Sequence, residues 1–202
     1  MEGNELLLGC QLQTNLKWQK QLQYLLDKLK KRLVGLTSMK YIVRFNTRKT
    51  LTLGMFNSVL VYCLPLFGGC DVGDIKQLQI LQNRAAQIVT HAPPRAHRQD
   101  MFDKLDWLTV HQLIAYHTLI SIYKIRKSGE PEYLARFLRD ENRGGKIILQ
   151  NTHLTLARRS FIWRGSQQWN LLSVELRRST KISLFKKGAR SWVVENISQF
   201  LD

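Results

Sequence analysis

The 202 residues predict a mainly α-helical protein: a small helical bundle followed by a second, mostly helical module with a short extended segment. Two observations lead there. Apolar residues recur at three- and four-residue spacing through most of the chain, which is the period of amphipathic helices. A hydrophobic share of 44% with 23% charged residues, four prolines and 12 glycines suits folded modules with short connections.

Taken in order, Leu6 to Cys10 reads as a short buried strand ending at Gly9, and Gln11 to Trp18 as a connection. From Trp18 to Leu36 the apolar positions are Trp18, Leu22, Leu25, Leu26, Leu29, Leu33 and Leu36, one stripe of a helix. Its other face holds Lys20, Lys28, Lys30, Lys31 and Arg32 against Asp27 alone. Thr47 to Cys63 predicts a helix apolar nearly all round, central to its module and ended by Pro65 and Gly68-Gly69. Asp74 is placed to cap a third helix through Thr90, with Ile75, Leu78, Leu81, Ala85 and Ile88 inward.

The run Pro93-Pro94-Arg95-Ala96-His97-Arg98 predicts the seam between modules, giving 1–92 and 93–202. Asp100 then caps a short helix with Met101, Phe102 and Leu105. Val110 to Lys127 follows as a helix striped by Leu113, Tyr116, His117, Ile120, Tyr123 and Lys124, and Pro131 opens the next at its first position. Asp140 to Gly145 is a polar loop, and Lys146 to Thr155 alternates weakly, as an extended segment does. Phe161 to Trp169 suits helix or strand; Ser173 caps a turn with Glu175 in it, and Leu184 to Ile197 forms the last helix.

The formal net charge is +16, with 31 Lys and Arg against 15 Asp and Glu. Self-repulsion at that charge opposes compaction, and a polyanionic partner relieves it. The charge lies within amphipathic segments, so the binding surface is expected to be folded. Arg158 to Val194 concentrates the pattern. It interleaves Arg158, Arg159, Arg164, Arg177, Arg178, Lys181, Lys186, Lys187 and Arg190 with Phe161, Trp163, Trp169, Phe185 and Trp192. Cations pair with phosphates and aromatic planes stack on bases, although widely spaced aromatics also build cores.

Catalytic chemistry finds little footing. Metal-dependent phosphoryl transfer needs clustered carboxylates, and there is no adjacent Asp-Asp pair. His91/His97 and His111/His117 lack one-turn ligand spacing, Cys10, Cys63 and Cys70 form no CxxC pair, and no phosphate-cradling glycine motif occurs. The expectation is no catalytic residue, no metal, no cofactor and no small-molecule substrate. Three cysteines suit a reducing compartment, and the first residues lack the pattern of a secretory signal, so a nuclear or cytoplasmic location is expected. Leu51 to Phe67 is short for a membrane span and interrupted by polar residues and Pro65, so no membrane is expected.

The order of motifs resembles the region that follows the polymerase palm in reverse transcriptases of non-LTR (LINE-type) retrotransposons, over about Leu6 to Ile197. Leu8-Gly9 followed by Leu16-Lys17-Trp18 is similar to its LG…L-x-W stretch, and Leu78-Gln79-Ile80-Leu81-Gln82-Asn83-Arg84-Ala85-Ala86 to its LQ…LQNRAA signature. Asn57 to Gly68 resembles its helix ending in an aromatic-Gly pair. Asp106-Trp107-Leu108-Thr109-Val110, Tyr123-Lys124-Ile125 and Pro131-x-Tyr133-Leu134 resemble its next elements. Arg159-Ser160-Phe161, Arg164-Gly165, Trp169-Asn170-x-Leu172 and Phe185-Lys186-Lys187 resemble its closing run. Ser173, Gln87 and Leu113 depart from the pattern, and nothing matches the family's [FY]-x-DD motif or a terminal zinc knuckle.

The resemblance implies a thumb-like helical bundle that grips RNA or an RNA–DNA duplex by its phosphates without polymerising. It implies Lys28, Lys31, Arg32, Arg44, Arg48, Lys49 and Arg84 as the bundle's contacts, and a core role for Phe161, Trp169 and Phe185. Arg158, Arg159, Arg164, Arg177, Arg178, Lys186 and Lys187 form the downstream grip. The alternatives are a helical module that binds an acidic protein, and a decayed reading frame of such an element.

Overall fold

The computed structural model describes residues 4–13, 18–93, 95–139 and 144–197. The architecture is mainly α-helical with one short antiparallel hairpin. Two compact units divide at Val110/His111, so the seam expected near residue 92 falls inside the first unit.

In the first unit, strands β1 (Asn4–Leu7) and β2 (Cys10–Gln13) pair antiparallel, Leu7 opposite Cys10, through a turn at Leu8 and Gly9. The expected single buried strand is therefore corrected. Leu6, Leu7 and Leu8 are exposed and only Cys10 of the five is buried, because Gly9 at φ +78° reverses the chain before it can enter the core. The hairpin is tied to helix α1 (Gln19–Ser38) by side chains: Gln11 N–H donates to Gln21 Oε1 (2.7 Å) and Lys20 N–H to Gln13 Oε1 (3.1 Å). Leu16 and Lys17 lie outside the described residues.

Helix α1 buries Leu22, Leu25, Leu26, Leu29, Leu33 and Leu36, the predicted stripe. Burial of each leucine contributes roughly 1.5–3 kcal/mol, which offsets part of the conformational entropy lost in ordering the helix. It packs chiefly on α5 (Val72–Thr90), which buries Ile75, Leu78, Leu81, Ala85 and Ile88 as expected. Asp71, not Asp74, holds the cap position of α5; Asp74 lies in the first turn, where a carboxylate still opposes the helix dipole favourably.

Between these helices the predicted Thr47–Cys63 helix is broken. Helix α2 (Phe45–Thr52) runs into a π-helical turn (Leu53–Asn57), then α3 (Ser58–Val61). Cys63, at φ 55°, ends it before α4 (Leu64–Phe67), and Pro65 starts that last turn rather than terminating one. Its burial is one-sided: Thr52, Phe56 and Leu60 are inward, while Leu53 and Tyr62 are exposed. Helix α6 (Arg98–Leu105) buries Met101, Phe102 and Leu105 as expected, with His97 rather than Asp100 at its cap. Pro94 lies outside the described residues.

The second unit is built on α7 (Val110–Ser128), whose first residue closes the first unit. It continues through α8 (Glu132–Ala135), α9 (Thr155–Arg158), α10 (Phe161–Leu171), α11 (Val174–Arg177) and α12 (Ile182–Asn196). Pro131 is the cap residue of α8, one place before the expected position. The inward face of α7 is rotated from the expected stripe: Ile114, Thr118, Leu119, Ile122 and Tyr123 are buried, whereas Lys124 is exposed. Lys146 to Thr155 forms no strand, apart from a single bridge residue at Ile147. The expected loop over Asp140 to Gly145 falls partly on 140–143, outside the described residues. Ser160 and Ser173 cap α10 and α11, accepting hydrogen bonds from Trp163 N–H and Leu176 N–H (both 3.3 Å). Trp169 and Phe185 are core, with rings stacked at 5.5 Å, and Phe185 also stacks on Tyr123 at 4.3 Å; Phe161 is half-buried.

Among the described residues no helix is long and apolar enough to cross a membrane.

Candidate nucleic-acid interface

Most of the cations predicted from sequence are displayed, and two are not. Arg48 is 9% exposed. Its Nε and Nη2 donate to the Val89 carbonyl (3.2 and 3.1 Å), and its Nη1 donates to those of Lys40 (3.0 Å) and Val43 (2.5 Å). A planar guanidinium satisfies several carbonyls at once, which is why an arginine stands here. It binds the 40–43 turn to the end of α5 and is buried in doing so, its guanidinium turned onto backbone carbonyls, so Arg48 leaves the candidate set. Arg177 leaves it for the same reason. Also 9% exposed, it donates to the carbonyls of Gly144 (3.1 Å), Asn170 (2.9 Å) and Leu172 (2.8 Å).

On the first unit Lys28, Lys31 and Arg32 stand on the exposed side of α1, Arg44 at the start of α2 and Arg84 on α5, all exposed; Lys49 is half-buried. A groove of about 730 Å³ between α1 and α5 is floored by Leu33, Leu81 and Ile88 and rimmed by Lys30, Lys40 and Arg84. Lys30 is partly shared with Asp27 at 3.6 Å, an exposed pair that contributes little. Lys40 is a residue that sequence reasoning missed. Its ammonium lies 5.2 Å from the Tyr41 ring, and Tyr41 is 81% exposed. His91 holds the same corner, its Nε2 donating to the Lys40 carbonyl (2.9 Å) and its ring edge-on to Tyr41 at 5.3 Å. The sequence signal was Lys40-Tyr41-Ile42-Val43-Arg44, an aromatic between cations outside any apolar stripe.

On the second unit Arg158, Arg159, Arg178, Lys186 and Lys187 are exposed and Arg164 is half-buried. Arg158 Nε donates to the Thr152 carbonyl (3.0 Å), and its guanidinium lies 6.0 Å from the Trp163 ring. Arg164 Nε donates to the Arg159 carbonyl (3.1 Å). Lys186 and Lys187 project from α12 beside buried Phe185. Arg178 is less suited to an anion, since the cleft it lines, about 670 Å³ between α11 and α12, also carries Glu175 and Glu195.

The most specific sequence motifs prove to be internal ties. Gln79 Oε1 accepts from Val110 N–H (2.8 Å) and Gln82 Nε2 donates to the Leu108 carbonyl (2.9 Å), so the LQNRAA helix holds the Trp107–Val110 stretch. Asn170 receives Ile147 N–H at Oδ1 (2.7 Å) and donates to its carbonyl (2.8 Å), while Trp169 Nε1 donates to Gly145 O (2.9 Å). Asparagine here reads a loop backbone in both directions; that is scaffold, not ligand binding.

Burial, with a hydrogen bond to Cys63 and then its charge, pushes the Cys10 thiol up to about 12, so it stays protonated at neutral pH. Among the described residues no three His, Cys, Asp or Glu side chains cluster to hold a metal ion. His117 is held below its ordinary range by burial, then by Lys124 and Lys186.

Compared with protein-family models, curated proteins and solved structures, the chain finds no match.

Proposed function

We propose that the chain is a non-catalytic nucleic-acid-binding protein that grips RNA or an RNA–DNA duplex through its phosphates. This is the role implied by its resemblance to the thumb and post-palm region of a non-LTR retrotransposon reverse transcriptase. The supporting observation is the display of Lys28, Lys31, Arg32, Arg44 and Arg84 on one unit and Arg158, Arg159, Lys186 and Lys187 on the other, all exposed in a chain of net charge +16. Cations held on helices at fixed spacing meet successive phosphates without ordering long loops, and the released counterions drive association. Backbone contacts of this kind set position rather than sequence preference.

Fluorescence anisotropy with a labelled RNA hairpin and an RNA–DNA duplex tests the reading. Affinity is expected to fall by roughly 10³ to 10⁵ between about 50 and 200 mM salt if six to ten phosphates are engaged. Absence of binding at the lower salt refutes it.

One feature favours a second reading, an acidic helical protein partner. The α1–α5 groove combines an apolar floor with the Lys30, Lys40 and Arg84 rim, which suits an amphipathic helix with carboxylates at its edges. Competition of a Glu-rich amphipathic peptide against the hairpin separates the two, since only a shared cationic surface gives displacement.

A further inference from the structure

We infer that a pocket in the second unit receives one unstacked nucleobase from a single-stranded segment, an inference that rests on the nucleic-acid reading and gives it a base-contacting site. The pocket is about 390 Å³ and is lined by Phe137, Ile148, Leu149, Ile162, Trp163 and Ser166. Small-molecule sites span roughly 300–1,000 Å³, so it has the size of a site for one base with its sugar. It is mostly apolar, and Trp163 supplies a half-exposed indole plane.

Two features beyond shape point to the occupant. Ser166 is 2% exposed, and its Oγ has no hydrogen-bond partner although it lines the pocket. A buried hydroxyl left unpaired costs free energy until something reaches it, and a ring nitrogen or exocyclic group of a base can do so. Arg158 supplies the second feature. Its guanidinium is fixed at the pocket edge by the Thr152 carbonyl and faces Trp163, and both Thr152 and Trp163 belong to the pocket wall. A base stacked on the indole would therefore carry its phosphate toward a cation. Gln150 and Asn151, exposed on the same wall, offer amide donors and acceptors to the base edge. A paired base cannot enter, because its edge and both faces are already occupied in the duplex. The pocket thus selects a loop, bulge or single strand, while the phosphate-gripping cations accept either form.

The test uses the full chain with a labelled single-stranded RNA and a duplex of the same length, in about 50 mM salt. Trp163→Ala is expected to weaken the single strand about tenfold and leave the duplex unchanged, with Trp163→Phe recovering most of the loss. Ser166→Ala guards against misfolding as the cause: it removes an unpaired buried hydroxyl, so the free protein melts no earlier than the parent, yet single-strand affinity falls a few-fold. A 5-iodouridine strand should photocross-link to the segment 160–164. If both variants bind the single strand as the parent does while the duplex still binds, the pocket is overturned and the phosphate grip stands. Equal losses for single strand and duplex also overturn it. No binding of either form overturns pocket and grip together. Displacement of the strand by an acidic, leucine-containing peptide, with loss of that displacement in Trp163→Ala, would assign the pocket to a protein and overturn the inference.

Discussion

At the scale of single residues, identical side chains have opposite fates. Arg84 stands exposed on α5, whereas Arg48, drawn from the same basic composition, is consumed by three carbonyls. Arg48→Ala is expected to destabilise the protein by about 2–4 kcal/mol, because buried carbonyls lose their donors. Arg48→Lys should recover little, since an ammonium lacks the planar fork; urea denaturation of the three proteins measures this. His117 offers a second residue-scale prediction. Its imidazole is held below 6.5 by burial, then by Lys124 and Lys186. Above that pH both folded and unfolded states are neutral there. As pH falls below 6.5 the unfolded chain gains a proton that the folded chain does not, so stability falls until the folded imidazole also titrates. His117→Gln should flatten that part of the stability–pH curve. A polyanion bound at Lys186 should move the His117 titration upward, read by NMR.

At the scale of elements, the helices close on one another through small residues that a propensity count undervalues. A Cβ on Gly165 of α10 would meet Ile122 Cδ1 of α7 at 2.3 Å and Thr118 Cγ2 at 3.0 Å. Gly165→Ala should cost about 1–3 kcal/mol through overpacking, despite alanine's better helix propensity. A calorimetric scan showing a gain in stability would refute the close approach. Gly165 also explains a motif: the Arg164-Gly165 pair couples a half-buried cation to the residue that lets two helices touch. The same holds for LQNRAA and Trp169-Asn170, where amides and an indole tie distant backbone. Motifs that look like a binding signature are here mostly the means by which the scaffold displays its cations.

At the scale of the whole molecule, the proposed phosphate grip would be a sum over many weak contacts. Lys28→Ala/Arg32→Ala and Lys186→Ala/Lys187→Ala should each reduce the slope of log affinity against log salt by about 2, with melting temperature unchanged. An unchanged slope in both double variants would remove these residues from the interface. Cooperative melting of the parent chain is the expected outcome for a folded binding protein, and a broad, non-cooperative melt would favour a decayed reading frame.

The sequence by itself determined the helical class, the inward faces of α1, α5 and α6, and the excess of positive charge, because periodicity and composition are local quantities. Trp169 and Phe185 as core were legible only through their place in a recurring order of motifs. Tertiary structure decided the rest. The hairpin depends on a left-handed glycine, and a π-helical turn interrupts the helix along the face that buries Thr52, Phe56 and Leu60. Arg48 reaches a carbonyl 41 positions away and Arg177 one 33 away. No local pattern separates a cation that folds back onto backbone from one left for a phosphate, since both are the same charge on the same stem and only the partner's position differs.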